Sequence, residues 1–421
     1  MLLLICSAEP VLSCSLYKIS AGGKTILGNN EDSWGRDAMI WFEKGSRDKY
    51  GIACFGYERK KPNPDGAMNE HGLAFDAFTM PHKPDIPEKN PGKSDFSYGE
   101  IRTIMQQCKT VDEVFAFLEK RNLHVLNGSI LFHGGMLFFT DRSGKYLVVE
   151  AHKMTMGKED KFVLANFSVA ETKDISTVKA ERFRKGLAFL RNKKPETNLS
   201  FCQLLSDTMS VSRARVSDGT LYTDICDLNQ GLIHLYFFHD FSRRITFRLQ
   251  DELAKGDHSY RLSDLFPDNQ HYQRFLDYQT PKSSKLIFYF ILFCASIFSF
   301  TAVFFLVKFL RAKKHELKGR MAFISIMGAA FSFYCFVLLT NEAIFYFPSP
   351  YQDANSWLIS ASSCLPFVLL LVFFPFLRWL TKEFREKKLT RLVRNIIVIN
   401  QLCYLILTGL FYYWGLFDIF P

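Results

Sequence analysis

The chain has ten cysteines in 421 residues, yet no Cys-x-x-Cys pair and no Cys/His spacing that would hold zinc. This excludes zinc-module and thioredoxin-type readings, and no other metal or cofactor signal is present. A basic face is also missing. The net charge of +10 sits in two short stretches: Lys308, Arg311, Lys313, Lys314, Lys318 and Arg320 outnumber Glu316 by five, and Arg378, Lys382, Arg385, Lys387, Lys388, Arg391 and Arg394 outnumber Glu383 and Glu386 by five. Nucleic acid is not an expected partner, because a phosphate-binding protein gathers its charge on one face. The long apolar runs after residue 285 contain no Lys, no Arg and no paired carboxylates. Transport pathways carry polar groups at mid-depth, so this part is expected to anchor the chain in a membrane.

The composition divides the chain. Charges interleave with Phe, Tyr and Leu up to about residue 280, and four apolar runs follow at 286–307, 321–340, 358–377 and 395–416. Each has the ~20 residues needed to cross a bilayer as a helix. Both basic stretches lie between runs, whereas the connector with Asn341, Glu342 and Asp353 has no Lys or Arg. The positive-inside rule puts the basic loops in the cytoplasm and the part before the first run outside. The expected location is the plasma (inner) membrane of a bacterium, multi-pass, with the preceding domain on the extracytoplasmic side.

Residues 1–13 begin with an apolar run, pass through Glu9-Pro10 and end at Val11-Leu12-Ser13, just before Cys14. Signal-peptidase cleavage there would make Cys14 the first residue, although the basic stretch that usually opens a signal is missing. The same Val-Leu-Ser-Cys run also resembles a bacterial lipobox, which would consume the thiol instead. From Cys14 the pattern is a β-hairpin: Ser15–Ser20 alternates, Ala21-Gly22-Gly23-Lys24 turns, and Thr25–Gly28 returns. Gly28-Asn29-Asn30-Glu31-Asp32 reads as a turn that brings Asp32 back toward Cys14.

Further strands are expected at 38–42, 51–57, 129–132, 136–140, 146–150, 162–166, 221–226 and 232–237. A turn at 67–76 feeds another strand, and 81–93 reads as a surface loop. Helices are expected at 98–121, 177–192 and 200–209, from apolar spacing such as Ile101, Ile104, Met105, Val111, Val114, Phe115 and Leu118. Residues 251–284 read as a polar linker. Five cysteines fall in the first part (Cys14, Cys54, Cys108, Cys202 and Cys226), so an exported domain would keep at least one free thiol, and a disulfide among the others stays open.

The ordered series is more specific than any one residue. Cys14, then Asn-Asn-Glu-Asp ending at Asp32, Met68-Asn69-Glu70-His71-Gly72-Leu73, Val163-Leu164-Ala165-Asn166-Phe167 and Glu181-Arg182-Phe183 together resemble the choloylglycine hydrolase and penicillin V acylase family of N-terminal-nucleophile hydrolases. The Asn-Asn-Glu-Asp and Met-Asn-Glu-x-Gly-Leu stretches are most similar to its isopenicillin N acyltransferase-like branch. The resemblance spans 14–249. It implies an α+β fold, a four-layer αββα sandwich, here followed by a four-helix transmembrane region. The implied division is a leader at 1–13, a hydrolase domain at 14–250, a linker at 251–284 and a membrane domain at 285–421.

The resemblance also implies hydrolysis of a linear, non-peptide carbon–nitrogen amide of a small N-acyl substrate. It matches Cys14 to the nucleophile, Asp32 to the carboxylate that holds the α-amine, Asn69 and Asn166 to the oxyanion positions, and Arg182 to the arginine beside the nucleophile. Where relatives that act on bile salts or penicillin carry Arg, this chain has Asn29, a substrate-side position, so neither substrate is assumed. The chemistry is consistent with these roles. An α-amine titrates near ~7.7–8 and serves as a base at neutral pH. An ammonium beside the thiol lowers the thiol pKa. Attack on the amide gives a thioester, which water hydrolyses. Transfer to an amine would make the same site an acyltransferase, and a catalytically silent binding domain on a membrane anchor is the reading from another class.

Overall fold

The computed structural model describes residues 14–58, 61–80, 83, 86, 88–128, 134–213, 215–312, 315–353, 356–372, 378, 381 and 390–419. The leader at 1–13, the strand at 129–132, the end of the third apolar run and most of the second basic stretch lie outside these residues. The described chain forms two compact units, one ending at Leu276 and the other beginning at Asp277.

Within the first unit the strands are β1 (Ser15–Ala21), β2 (Lys24–Ser33), β3 (Ala38–Glu43), β4 (Ile52–Tyr57), β5 (Gly66–Asn69), β6 (Ala74–Met80), β7 (Ser94–Asp95), β8 (Arg121–Asn122), β9 (Gly134–Thr140), β10 (Tyr146–Glu150), β11 (Lys153–Gly157), β12 (Lys161–Leu164), β13 (Gly219–Asp227), β14 (Leu232–Phe237), β15 (Asp240–Arg248) and β16 (His258–Arg261). One sheet has the order β12-β1-β2-β13-β14-β15, and the other β11-β10-β9-β6-β5-β4-β3-β16. Four helices matter most for packing: α1 (Glu100–Gln107), α2 (Val111–Leu118), α3 (Glu181–Leu190) and α4 (Leu199–Met209).

Alternation along the strands sorts the side chains into layers. Trp41, Cys54, Phe75, Phe139 and Val149 of the larger sheet pack against Ile101, Ile104, Val111, Val114 and Leu118 of α1 and α2. Tyr17, Ile19, Ile225 and Tyr236 of the smaller sheet pack against Phe183, Leu190, Cys202, Leu205 and Met209 of α3 and α4. The remaining faces meet each other. Phe55 stacks on Tyr222 with ring centroids 6.5 Å apart, and Phe138 on Phe162 at 5.7 Å. The order is helices, sheet, sheet, helices, which buries both faces of each sheet. Each fully buried Leu or Phe contributes about 1.5–3 kcal/mol.

Several expectations are corrected. The run Asn29-Asn30-Glu31-Asp32 is the interior of β2, not a turn. Asn30 pairs with Ser15 on one side and Thr223 on the other. Side-chain bonds make the strand tolerable there: Asn30 donates to the Ser206 carbonyl at 2.9 Å and accepts from the Thr223 hydroxyl at 2.7 Å. The single helix at 98–121 is two helices. The chain is extended at Cys108, and Thr110 caps α2 by accepting the Glu113 N–H while the Glu113 carboxylate accepts the Lys109 N–H at 2.6 Å, a variant of the capping box. The strand at 162–166 ends at Leu164. The stretch at 251–284 is largely ordered: α5 (Leu249–Ala254), β16, α6 (Leu262–Leu265) and α7 (Gln270–Asp277), with β16 paired to β3 through His258 and Phe42. All nine described cysteines are free thiols.

The second unit contains α8 (Lys285–Arg311), α9 (His315–Thr340), a shorter apolar helix α10 (Trp357–Val372) and α11 (Arg391–Tyr413). Among the described residues three helices are long and apolar enough to cross a membrane, Lys285–Arg311, Lys318–Thr340 within α9, and Arg391–Tyr413, and the fourth expected run, 358–377, ends outside the described residues. On α8 the buried residues are Ile291, Cys294, Phe298, Thr301 and Phe305, a stripe of three- and four-residue steps that suits close helix pairing. Gly328 of α9 lets the backbones approach, since a Cβ there would lie 2.9 Å from the Phe298 carbonyl oxygen.

Candidate active site

Cys14 stands just before β1, on the side of the smaller sheet that faces the larger one. It is buried, 8% exposed. Its neighbour across the hairpin is Glu31. The Cys14 thiol donates to Glu31 Oε2 at 2.9 Å, and the Tyr57 hydroxyl, from β4 of the opposite sheet, donates to Glu31 Oε1 at 3.1 Å. Cys14 and Glu31 line a cavity of about 600 Å³ whose other walls include Lys61, Asp65, Phe78, Thr79, Tyr98, Ile101, Gly135 and Leu137. The cavity lining therefore offers a thiol, two carboxylates and apolar surface.

Asp32 follows Glu31 on β2 and so points the opposite way, toward the helix layer. It accepts from the Thr220 hydroxyl at 2.6 Å and from Arg182 Nη1 at 3.4 Å. Arg182 Nη2 in turn donates to Asn166 Oδ1 at 3.5 Å, and Asn166 Nδ2 donates to the Thr79 carbonyl at 2.8 Å. Asp32, Arg182 and Asn166 are thus brought together in a chain of contacts that ends at the cavity wall. Burial raises the Asp32 carboxyl and lowers the Arg182 guanidinium, while the attraction between them opposes both shifts.

Asn69 and Asn29 are placed elsewhere. Both amide protons of Asn69 are committed, to the carbonyls of Met105 and Cys108 at 2.9 and 2.8 Å. Its oxygen accepts the His71 and Leu73 N–H groups at 3.0 Å each. This side chain ties the β5–β6 turn to α1 and has no donor left for a substrate. Asn29 faces the space between the sheets and donates to Asp224 Oδ1 at 3.3 Å; it is not among the residues that line the cavity.

The expected low thiol pKa belongs to a chain cut before Cys14. Burial, then the charges of Glu31 and Asp76, push the Cys14 thiol well above its usual value. The expectation needed an ammonium beside the sulfur, and in the continuous chain the neighbours are carboxylates. Two more acids lie between the sheets. Burial, then the charges of Asp224 and Glu31, raise Asp76 well above the usual carboxylate range, and burial pushes Asp224 up to about 7.

A stability prediction follows from Asp224. Its folded-state value is above the 3.8 of an ordinary aspartate, so between about pH 4 and pH 7 the unfolded chain loses a proton that the folded chain keeps. Stability from this group is complete below about pH 4 and is lost as pH rises through 7. Asp224→Asn is expected to match wild type at pH 4 and to be more stable at pH 8 by a few kcal/mol, because each pH unit between the folded and unfolded titrations is worth about 1.4 kcal/mol. Thermal melts at the two pH values test this, and an equal or lower melting point at pH 8 contradicts it.

Sequence reasoning missed Glu31, Tyr57, Asp76, Asp224 and Thr220. For Glu31 the signal was available. The two-residue turn Gly22-Gly23 pairs Ala21 with Lys24, and counting back along both strands sets Cys14 opposite Glu31.

No protein-family model and no curated protein matches the chain. Among solved structures, two variants of the conjugated bile acid hydrolase from Clostridium perfringens are similar, each 17% identical over 61% of this chain and 99% of its own, with TM-scores of 0.48 and 0.49. Penicillin V acylase from Agrobacterium tumefaciens is 14% identical over 53% of this chain and 82% of its own, with a TM-score of 0.40. These are the proteins the chain is similar to, and the site described above stands on its own geometry.

Proposed function

We propose that the chain is a thiol hydrolase of a linear carbon–nitrogen amide in a small N-acyl substrate, carried on a membrane anchor. One observation carries the reading: the sulfur of Cys14 borders a cavity of about 600 Å³ and is hydrogen-bonded to a carboxylate within it. A nucleophile, a proton acceptor and room for an acyl group then meet at one point. Phe78, Ile101 and Leu137 give the acyl part an apolar wall. Attack on the carbonyl forms a thioester and expels the amine, and water completes the hydrolysis. Asn166 is the oxyanion donor we assign, since one of its two amide protons is free of the bond to Thr79, whereas Asn69 has none free. Arg182 and Asp32 hold Asn166 in place from behind. The likeness to the isopenicillin N acyltransferase-like branch adds an α-amine at Cys14 if the chain is cut before it, as a further group near the sulfur.

The membrane fraction of an expressing host, incubated with a panel of linear N-acyl amides, is expected to release acid and amine in equal amounts from at least one of them. Release from none, or activity confined to the soluble fraction, contradicts the proposal.

A further inference from the structure

We infer that the helices of the second unit hold a binding site for one neutral hydrogen-bond donor of about the size of water, between Thr301, Asn400, Gln401 and Tyr404. The inference is independent of the hydrolase reading, because no residue of the first unit takes part. The four residues line a cavity of about 30 Å³ whose remaining wall is apolar and includes Phe323 and Met327. Thr301 of α8, Met327 of α9 and Asn400 of α11 lie near the middle of the three helices that are long and apolar enough to cross a membrane. Charge along the apolar runs does not reveal such a place, since its polar groups are amides and hydroxyls.

The side-chain bonds define what the site lacks. Asn400 is 5% exposed and Thr301 2%. Both amide protons of Asn400 are committed, to the Thr301 hydroxyl oxygen and to the Ile396 carbonyl, each at 2.8 Å. Among the described residues Asn400 Oδ1 has no partner, and Gln401 Oε1 has none either. Two buried carbonyl oxygens thus belong to the wall of one small cavity, and each lacks a donor. An unsatisfied carbonyl is costly in an apolar interior, and hydrocarbon outside the helices has no donor to offer it.

The chemistry of the occupant follows from the wall. Acceptors without partners call for a donor. No charged residue is among those that line the cavity, so an ion would be buried without a counter-charge, and the occupant is neutral. The volume admits a single water-sized group, which excludes a ring, a phosphate and an amide. Water meets these conditions, and its two protons match the two oxygens. The terminal hydroxyl of a long-chain alcohol offers the same chemistry from the lipid side, with its chain along the apolar wall.

The test is X-ray radiolysis of the full chain, purified in detergent and placed in nanodiscs of phosphatidylcholine, a lipid with no free hydroxyl. Hydroxyl radicals formed from a bound water oxidise the side chains that touch it. Tyr404 is expected to be oxidised well above Tyr334, which is 1% exposed and does not line the cavity. Gln401→Leu removes one acceptor and breaks no bond described for this side chain, so oxidation of Tyr404 and Met327 is expected to fall by about fivefold to tenfold, the effect of one lost hydrogen bond. Asn400→Leu should lower it as well, and because that change also breaks the bond to Thr301, Gln401→Leu decides if the first variant does not fold. Tyr404 oxidised no more than Tyr334, or oxidation unchanged in Gln401→Leu, overturns the inference. Octanol and octane distinguish the two sources. Protection of Tyr404 by octanol alone assigns the site to a lipid hydroxyl, no protection by either assigns it to water, and equal protection by both shows that the cavity selects chains and not donors, which also overturns the inference.

Discussion

Cys14→Ala is expected to lower turnover of any amide the protein hydrolyses by about 10⁴-fold or more. Removing a covalent nucleophile eliminates the thioester route altogether, and what remains is the modest acceleration that binding and oxyanion contacts give to attack by water. No other described thiol of this unit is placed to replace it: Cys54 and Cys108 pack on the opposite face of the larger sheet, Cys202 lies in the helix layer, and Cys226 does not line the cavity. The fold should survive. Cys14 is a small buried side chain, and among the described residues its side-chain bond is to Glu31, whose other oxygen keeps Tyr57. Loss of a buried side chain of this size costs about 1 kcal/mol, so the melting point stays within a few degrees. Cys14→Ser, which keeps a polar group of similar shape, should be nearly as inactive, because a serine hydroxyl is a poor nucleophile without a base suited to it. Turnover within about tenfold of wild type in the alanine variant would remove Cys14 from the chemistry.

The largest stability effect is expected at Arg182. Its guanidinium pairs with Asp32 at 3.4 Å, and the two side chains are only 12% and 3% exposed. Breaking one side of such a buried pair leaves an uncompensated charge and commonly costs about 3–5 kcal/mol. Arg182→Met keeps the aliphatic stem and removes the charge, which leaves Asp32 with the Thr220 hydroxyl and the more distant Arg213. Without the opposing charge the already raised Asp32 carboxyl rises further, so the unfolded chain loses its proton at a lower pH than the folded one. The deficit is therefore small near pH 4 and grows toward pH 8. For a unit of this size each kcal/mol moves the melting point by about 2–4 °C, so a fall on the order of 10 °C is expected at pH 8. Adding Asp32→Asn to the same chain should recover most of it, because the double variant has no orphaned charge. A melting point unchanged at pH 8 in Arg182→Met would show that the pair does not hold the helix layer to β2.

Much of this architecture is legible in the residues. Gly22 and Gly23 adopt positive φ, +59° and +75°, as a two-residue hairpin turn requires, and the strand on each side follows from alternation. The apolar stripes of α3 and α4 likewise declare their faces. The polar run of β2 does not. Asn and Asp favour turns because their side chains bond locally, and Gly because it takes positive φ without steric cost; only partners distant in sequence, Ser206, Thr220, Thr223 and Arg182, make Asn30 and Asp32 good strand residues here. Propensity loses to tertiary contacts at the point where the site is built, as expected of functional positions.

The stretch that reads as a linker hides an edge strand for a related reason. Among the described residues β16 ends its sheet, and its polar sequence, His258-Ser259-Tyr260-Arg261, suits such an edge. Apolar spacing likewise runs unbroken across Cys108, although Thr110 and Glu113 carry a helix-start signal in the middle of it. The site was legible as an ordered set of residues and not as a geometry. Asp32, Asn166 and Arg182 do come together. Asn69 is an equally plausible amide in the sequence, but nothing local reveals that Met105 and Cys108 occupy its donors.

The central claim is that Cys14 carries the acyl group. The most direct measurement is the mass of the protein quenched in acid during turnover of an N-acyl anilide, whose good leaving group lets the thioester accumulate, followed by peptide mapping. The account predicts an adduct with the mass of the acyl group on the peptide that contains Cys14, lost on treatment with hydroxylamine. An adduct on another residue, or turnover with Cys14 unmodified throughout, would contradict it.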